Sequence, residues 1–401
     1  MRILLLNLYY PPDISATAKM AATVAKALFE KHEVTVLCGR PSYDPAERRP
    51  WRLWQSEQAE GAKVVRVGST DYSRAQMTKR VLNYLTYVAL AVPRALFVPC
   101  DVVLAMTDPP FEGIVGAFTA FLKSKPYVYN IRDLYPEMAL GGAIIKPGLL
   151  ARVWEQLHRW ALRRAKKIIV LGEDMRARIV RKGVDALRIT VVRDGADLSA
   201  LGVPPAPLDD EVVRAIRRDD RFVLLHAGNL GFYGAWSTLV QAVARLENDG
   251  VALVFVGDGA QRPDVEALAK GARNIRFLSF FPAAKIPSVL AAPDAHVITV
   301  KRGLEGVVVP SKMYGILAAG KPILAIAEPE SDAASLAVKL GFGVSAGPED
   351  LREAEQAIRA LAADRTQLQR MAGAARAAAL DYDRVKELQK FVQSLEEAVK
   401  T

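Results

Sequence analysis

The densest chemistry in this sequence gathers where short apolar runs break into glycine. The run from Phe222 to Ala227 leads into Gly228-Asn229-Leu230-Gly231, then Phe232-Tyr233-Gly234, ahead of a helical stretch from about Trp236. Glycine between a strand and a helix lets the backbone approach a phosphate, which then meets the free N–H groups of the helix start. The alternative is a glycine turn of purely structural purpose. The spacing of Gly228, Gly231 and Gly234 is not the G-x-G-x-x-G fingerprint, which argues against a dinucleotide. A second turn, Gly257-Asp258-Gly259, follows the run Val254-Phe255-Val256. Two such turns at successive strand ends point to one nucleotide pocket, where Asp258 either meets a base or ribose or caps the next helix. A third segment, Glu305 to Pro322, places Ser311 and Lys312 at the start of a helix that Gly320 ends. A first helical turn ordinarily favours an acid. Lysine fits there if a diphosphate lies alongside, and Lys301 and Arg302 stand near enough to reach the same anion.

Three loops of the first half end strands in the same manner. They are Tyr9 to Thr17, with Asp13, Ser15 and Ala16; Thr107-Asp108-Pro109-Pro110; and Asn130 to Glu137, with Arg132 and Asp133. A place at the carboxyl ends of strands turns Asp13, Asp108, Arg132, Asp133 and Glu137 toward one space. Each alone is equally well explained as a turn former or helix cap; as a set they read as the wall of a cleft. The four histidines (His32, His158, His226 and His296) are scattered, so no metal site is expected. Cys38 and Cys100 are the only cysteines, too few for a disulfide framework, and a reducing compartment is the default.

The elements that carry these loops follow from alternation. In the first half, strand candidates at 2–8, 33–37, 64–67, 101–106, 127–131, 167–171 and 189–192 are separated by helical stretches. After a stiff linker, Gly202 to Leu208, the pattern restarts with strands near 222–227, 251–256, 274–278, 294–300, 322–326 and 342–345. Alternation of this kind predicts two doubly wound α/β domains, each a parallel sheet covered by helices, with a cleft between them. The expected boundaries are 1–195 and 208–380 for a chain of 401 residues. The stretch 381–401 closes the chain as a helix with apolar Val385, Leu388, Val392, Leu395 and Val399 at helical spacing. Met1 to Leu6 reads as a first buried strand, since the apolar run is short and lacks a cleavage site.

Charge is unevenly placed. Residues 1–195 hold 30 Lys/Arg against 18 Asp/Glu, the remainder 24 against 26. The first domain therefore faces something anionic, such as a membrane or a pyrophosphate lipid, or else carries a basic surface for solubility. Nucleic acid is disfavoured, because the basic residues are not interleaved with an aromatic platform. Between Arg80 and Arg94 an apolar run with aromatic residues and basic flanks, too short to span a bilayer, reads equally as an interfacial or a core helix.

Five stretches carry a resemblance that covers nearly the whole chain in order. They are Tyr9 to Ile14, Arg132 to Glu137, His226-Ala227-Gly228-Asn229-Leu230-Gly231, Val256-Gly257-Asp258-Gly259, and Val309-Pro310-Ser311-Lys312 through Gly320-Lys321-Pro322. On these the chain resembles the family 4 glycosyltransferases of the GT-B fold. It is similar in particular to the subgroup acting in O-antigen, capsule and exopolysaccharide assembly, including fucosaminyltransferase-like members. The resemblance implies that the second domain holds a nucleotide sugar and the first an acceptor, that the last helix crosses back onto the first domain, and that transfer retains anomeric configuration without a metal. Gly315 stands where many members have a ribose-binding glutamate, and Asn229 and Tyr233 stand in place of a usual basic pair.

On that footing the donor-binding set is Gly228, Asn229, Leu230, Gly231, Gly257, Asp258, Gly259, Lys301, Ser311 and Lys312. Glu305 orients the donor sugar; Asp108, Asp133 or Glu137 positions the acceptor hydroxyl; Asp13, Ser15, Ala16 and Arg132 lie on the acceptor side. No cofactor or metal is expected. The expected partners are a UDP-linked sugar and a polyprenyl-pyrophosphate-linked glycan, at a cytoplasmic location with peripheral contact to an anionic membrane. The rivals are a sugar-nucleotide epimerase of the same fold and an inactive sugar-nucleotide-binding protein.

Overall fold

A computed structural model describes residues 1–42, 50–59, 61–72, 76–201, 208–218 and 221–400; the expected linker residues Gly202 to Pro207 lie outside them. Strands buried on both faces of a parallel sheet read as continuous apolar runs. Val251–Val256 is such a run, with all six positions buried. The first sheet comprises β1 (Arg2–Leu6), β2 (Glu33–Cys38), β3 (Trp54–Ala59), β4 (Ala62–Val67), β5 (Val102–Ala105), β6 (Tyr127–Ile131), β7 (Lys167–Val170) and β8 (Ile189–Val191). Their order is β3-β4-β2-β1-β5-β6-β7-β8. Leu4 in β1 lies opposite Thr35 in β2 and Val103 in β5, both in parallel register. β3 was not expected; it runs antiparallel to β4, with Trp54 opposite Val67.

The second sheet holds β9 (Phe222–Ala227), β10 (Val251–Val256), β11 (Ile275–Leu278), β12 (Ala295–Thr299), β13 (Ile323–Ile326) and β14 (Gly343–Ala346). It is parallel throughout, in the order β11-β10-β9-β12-β13-β14. In each sheet the first strand is central. The chain winds outward on one side, then returns to the other, between β1 and β5 and between β9 and β12. Such switch points are where open α/β sheets bind ligands.

Two crossings join the domains side by side. Ala196 N donates to Tyr382 O at 2.7 Å, and Arg384 N donates to Ala196 O at 3.0 Å. The final helix, Arg384–Lys400, then buries Phe391, Val392, Leu395 and Ala398 with Ile3, Val34 and Val192 of the first domain. Its buried face runs through Phe391; the expected Val385 is exposed. Helix Met77–Leu96 buries one face in the core. Asn83, Tyr84, Tyr87, Ala91 and Ala95 are buried, while Leu82, Leu85 and Leu96 face outward. No described helix is long and apolar enough to cross a membrane.

Candidate functional site at the facing strand ends

The second-domain wall is built by close backbone approach. A side chain at Gly257, where φ is +143°, would stop 2.1 Å from the Gly228 carbonyl oxygen; one at Gly259 would stop 2.5 Å from Leu230 O. Glycine at 257 and 259, after β10, therefore lets that turn touch the one after β9. Gly228 N donates to Val256 O at 2.8 Å, Leu230 N to Asp258 O at 2.9 Å, and Gly257 N to Leu278 O at 3.1 Å. The N–H groups of Gly228, Leu230 and Gly257 are thus satisfied within the domain. The Asp258 carboxylate accepts from Gly259 N at 2.8 Å, and Gln261 holds the cap position of the next helix. Neither sequence reading of Asp258 describes that contact, which tightens its own turn. Gly231 is buried, its carbonyl accepting from Trp236 Nε1 at 2.8 Å.

What these turns frame is Lys312. Its Nζ lies 3.6 Å from where a Gly228 side chain would begin, and it donates to His226 Nε2 at 3.1 Å. His226, at the end of β9, is buried edge-on against Trp236, with ring centroids 4.8 Å apart. Burial, then the Lys312 charge, lowers the His226 pKa, so the ring is neutral and accepts. Burial lowers the Lys312 pKa to about 7 although part of the side chain still reaches solvent. No carboxylate pairs with it among the described residues. A cation so placed gains its charge back when an anion arrives.

The helix behind it is short, Lys312–Ala318, and the Ser311 hydroxyl makes no capping bond; it is exposed beside Lys312. Asn229 is exposed, its carbonyl accepting from Tyr233 Oη at 2.8 Å. Lys301 is exposed and lines a 470 Å³ cavity with Trp236, Thr238 and Gln261. Arg302 instead pairs with Glu328 at 3.0 Å and Glu349 at 3.1 Å.

On the first-domain wall most expected site residues hold the loops themselves. Ser15 Oγ accepts from Ala18 N at 3.0 Å and caps helix Ala16–Phe29, of which Ala16 is merely the first residue. Asp13 is buried and accepts from Ser42 N at 2.8 Å. Arg132 lies 2.8 Å from both Asp194 oxygens. Lys182 holds Glu137 and Glu155, each at 2.6 Å. Asp13, Ser15, Arg132 and Glu137 thus each have a structural partner, as polar groups at loop ends need. Glu305 is engaged in the same way. Its carboxylate accepts from Gly303 N at 2.8 Å and lies 3.4 Å from Arg178 of the first domain, whose Nε also donates to the Glu305 carbonyl. Glu137 and Glu305 line a separate charged cavity of 710 Å³ with Asp174, Arg178 and Lys182.

Asp133 and Asp108 are brought together. Burial, then the Asp108 charge, raises the Asp133 pKa to about 7. Asp133 forms a backbone bridge with Val308, and Leu134 N donates to Val307 O at 3.0 Å, so the second domain touches this wall. Tyr233 lies close by; burial raises its pKa to about 12, with the Asp133 charge adding to the rise. The sequence reading missed the lock that fixes the domains here. Asp174 accepts from Gly306 N at 3.1 Å and Asp332 N at 2.9 Å, and Arg193 meets Asp332 at 3.2 Å. Burial, then Asp332, raises the Asp174 pKa to about 6. His226 had only its place before the glycine turn as a signal. Among the described residues no group of three His, Cys, Asp or Glu could hold a metal ion.

Comparison with known proteins follows the same division. Residues 15–195 match the glycosyl transferase 4-like domain and residues 221–364 match glycosyl transferases group 1. WcaI of Escherichia coli (strain K12), named for glycosyl transfer in colanic acid biosynthesis, is 23% identical over 90% of this chain and 91% of its own length. WbjE of Pseudomonas aeruginosa, named as a glycosyltransferase, is 27% identical over 62% of this chain; the match spans 63% of WbjE. A structure of Anabaena HepE in complex with UDP-glucose superposes with a TM-score of 0.70 at 20% identity, covering 99% of this chain and 100% of that one. WaaG, a glycosyltransferase involved in lipopolysaccharide biosynthesis, gives 0.66 at 18% identity over 98% of each chain. The chain is therefore a GT-B protein built from two glycosyltransferase domains, one 4-like and one of group 1.

Proposed function

We propose that this glycosyltransferase moves a hexose or N-acetylated amino sugar from a UDP-linked donor to a polyprenyl-pyrophosphate-linked glycan in surface polysaccharide synthesis, with retention and without a divalent metal. The observation that carries the donor half is Lys312, held at the β9 switch point against a neutral imidazole. The HepE structures in complex with UDP and UDP-glucose support a uridine nucleotide. The colanic acid context in the name of WcaI supports a polysaccharide product. The basic first domain supports an anionic acceptor and a peripheral place on the cytoplasmic face of a membrane.

In this reading the diphosphate lies against the β9 turn and Lys312. Lys312, Lys301, the Ser311 hydroxyl and the Asn229 side chain offset the negative charge that grows on the departing UDP. Asp133, in the field of Asp108, holds the acceptor hydroxyl. The bond from the anomeric carbon to the diphosphate breaks, the acceptor oxygen bonds to that carbon on the same face, and the acceptor proton passes to the leaving diphosphate. No strong protein base is needed. Asp108 and Asp133 sit on one wall, whereas retaining glycosidases flank the scissile bond with opposed carboxylates. The backbone contact of Asp133 with Val308 excludes water that would otherwise compete.

Incubation with UDP-sugars and a polyprenyl-pyrophosphate-linked sugar in EDTA, with the product read by NMR, tests this. The expected product keeps the donor's anomeric configuration. An inverted product or an absolute need for a divalent ion overturns the mechanism; conversion of the UDP-sugar without acceptor makes the protein an epimerase.

A further inference from the structure

The loop that leads to Lys312 belongs to the second domain by sequence but rests on the first by contact. Between β12 and helix Lys312–Ala318 it runs as turns and isolated bridges. Its internal bonds are short-range, among them Leu304 N to Lys301 O at 3.1 Å and Val307 N to Leu304 O at 3.0 Å. A largely buried loop must place its remaining backbone groups somewhere. Four of them go to the first domain. Arg178, on helix Glu173–Arg181, donates to the carbonyl of Gly303 at 2.7 Å and to that of Glu305. The Asp174 carboxylate, one turn earlier, accepts from Gly306 N at 3.1 Å. Leu134 N donates to Val307 O at 3.0 Å.

The fit is steric as well. Gly306 has a φ of +64°, and a side chain there would stop 2.5 Å from the carbonyl carbon and oxygen of Asp174. A side chain on Gly141 would stop 2.4 Å from Leu304 Cδ2, so the first domain receives Leu304 too. The helix that holds the loop is itself fixed. Asp332 N, at the start of helix Asp332–Lys339, donates to Asp174 at 2.9 Å, and Glu173 N donates to Asp332 at 3.1 Å. Two helices of different domains thus begin head to head, and each has an orphan N–H satisfied by the other's aspartate. Arg193, 3.2 Å from Asp332, offsets the paired carboxylates.

Val309, Pro310 and Ser311 are all that separates Val308 from Lys312. Pro310 has its φ fixed by its ring, and the Ser311 hydroxyl makes no bond to the helix start. The place of Lys312 therefore follows the place of the loop. We propose that Arg178 and Asp174 are positioning residues: from the first domain they hold the loop that sets Lys312, so the donor diphosphate meets its cation only while the two domains are in contact. The inference rests on the reading of Lys312 as the diphosphate's cation, and adds that the first domain builds part of the donor site. Neither residue needs to touch the nucleotide. Donor binding and domain contact then favour each other by the same factor, as linkage requires.

The test is calorimetry of the full chain with UDP and with uridine, with the unfolding temperature read alongside. Arg178→Ala and Asp174→Ala each weaken UDP binding by about tenfold and uridine binding by less than about twofold. Asp174→Asn, whose amide oxygen still accepts from Gly306 N, loses less than Asp174→Ala. In the Lys312→Ala background Arg178→Ala brings no further loss of UDP affinity, because its effect passes through that ammonium. A merely structural role would lower the unfolding temperature and leave the ratio of UDP to uridine affinity unchanged, and that result overturns the proposal. So does a loss of equal size with and without Lys312, or wild-type UDP affinity in both alanine variants. Lys312→Ala by itself separates the two readings. If it leaves UDP affinity intact, the donor assignment falls and this proposal with it; if it alone lowers UDP affinity, only the positioning role falls.

Discussion

The two walls of the cleft are held in shape by different parts of the chain. On the second-domain wall the turns after β9 and β10 touch backbone to backbone, Gly257 against Gly228 and Gly259 against Leu230. On the first-domain wall side chains do the holding: Ser15 caps a helix, Asp13 binds Ser42 N, Arg132 binds Asp194 and Glu137 binds Lys182. The first method needs glycine and leaves Lys312 beside the β9 turn with no carboxylate partner among the described residues. The second uses up most of the polar side chains that a strand-end argument marks as functional. A polar residue at a strand's carboxyl end is thus weak evidence of a role in chemistry until its structural partners are known.

That contrast can be broken by substitution. The largest expected effect is that of Gly257→Ala. The new Cβ would meet a carbonyl oxygen at a φ of +143°, where no flexible side chain can yield. Denaturant unfolding is expected to record a loss of about 3 kcal/mol. A loss below that of an ordinary surface substitution means the turns are not packed in this way.

Asp133→Asn comes next. It keeps the shape of the wall but removes the carboxylate that accepts from the acceptor hydroxyl, and the transfer rate is expected to fall roughly a hundredfold while UDP affinity is unchanged. An equal fall in UDP affinity would move Asp133 to the donor side. Lys312→Ala follows, with a loss of about 2 kcal/mol, or thirtyfold, in UDP affinity and little loss for uridine. The wild-type protein should also reveal this lysine through pH. Its pKa is lowered to about 7 by burial, and a bound diphosphate raises it again. UDP affinity is therefore fullest below pH 7 and declines as pH rises above it, with proton uptake on binding between pH 7 and 8. Calorimetry in buffers of different ionisation enthalpy measures that uptake. A pH-independent affinity would leave the ammonium outside the site. The smallest effect is that of Ser15→Ala, about 1 kcal/mol of stability through the lost helix cap, with donor affinity and turnover unaltered in the folded protein.

Much of the fold was legible because the information is local. Runs such as Val251–Val256 announce doubly buried parallel strands, and Ser15, Gly228 and Gly257 sit where the chain turns. β3 was not legible. Its sequence, WQSEQA, alternates exposed with half-buried positions at a sheet edge, and its polar residues resemble a loop. In the final helix the expected stripe is buried at Val392 and Leu395 and packs against the same core at Leu388 and Val399, while Val385, in the first turn, is exposed and Phe391 joins the buried face.

The site was less legible for a related reason. The partners that decide each role are distant in sequence: Arg132 and Asp194 are 62 positions apart, Lys312 and His226 are 86, and Asp174 and Asp332 are 158. Lys312 stood out from its unusual place in a first helical turn, but its lowered pKa depends on burial that only the folded domain supplies. Glu305 carried the right residue type, yet Arg178 and Gly303 claim its carboxylate.

The most direct test of the donor site is calorimetric titration of the purified chain with UDP, ADP and NAD in the presence of EDTA. Saturable binding of UDP, preferred over ADP and largely lost in Lys312→Ala, is the predicted result. Binding of NAD in place of UDP, or UDP binding that appears only when a divalent ion is restored, would contradict it.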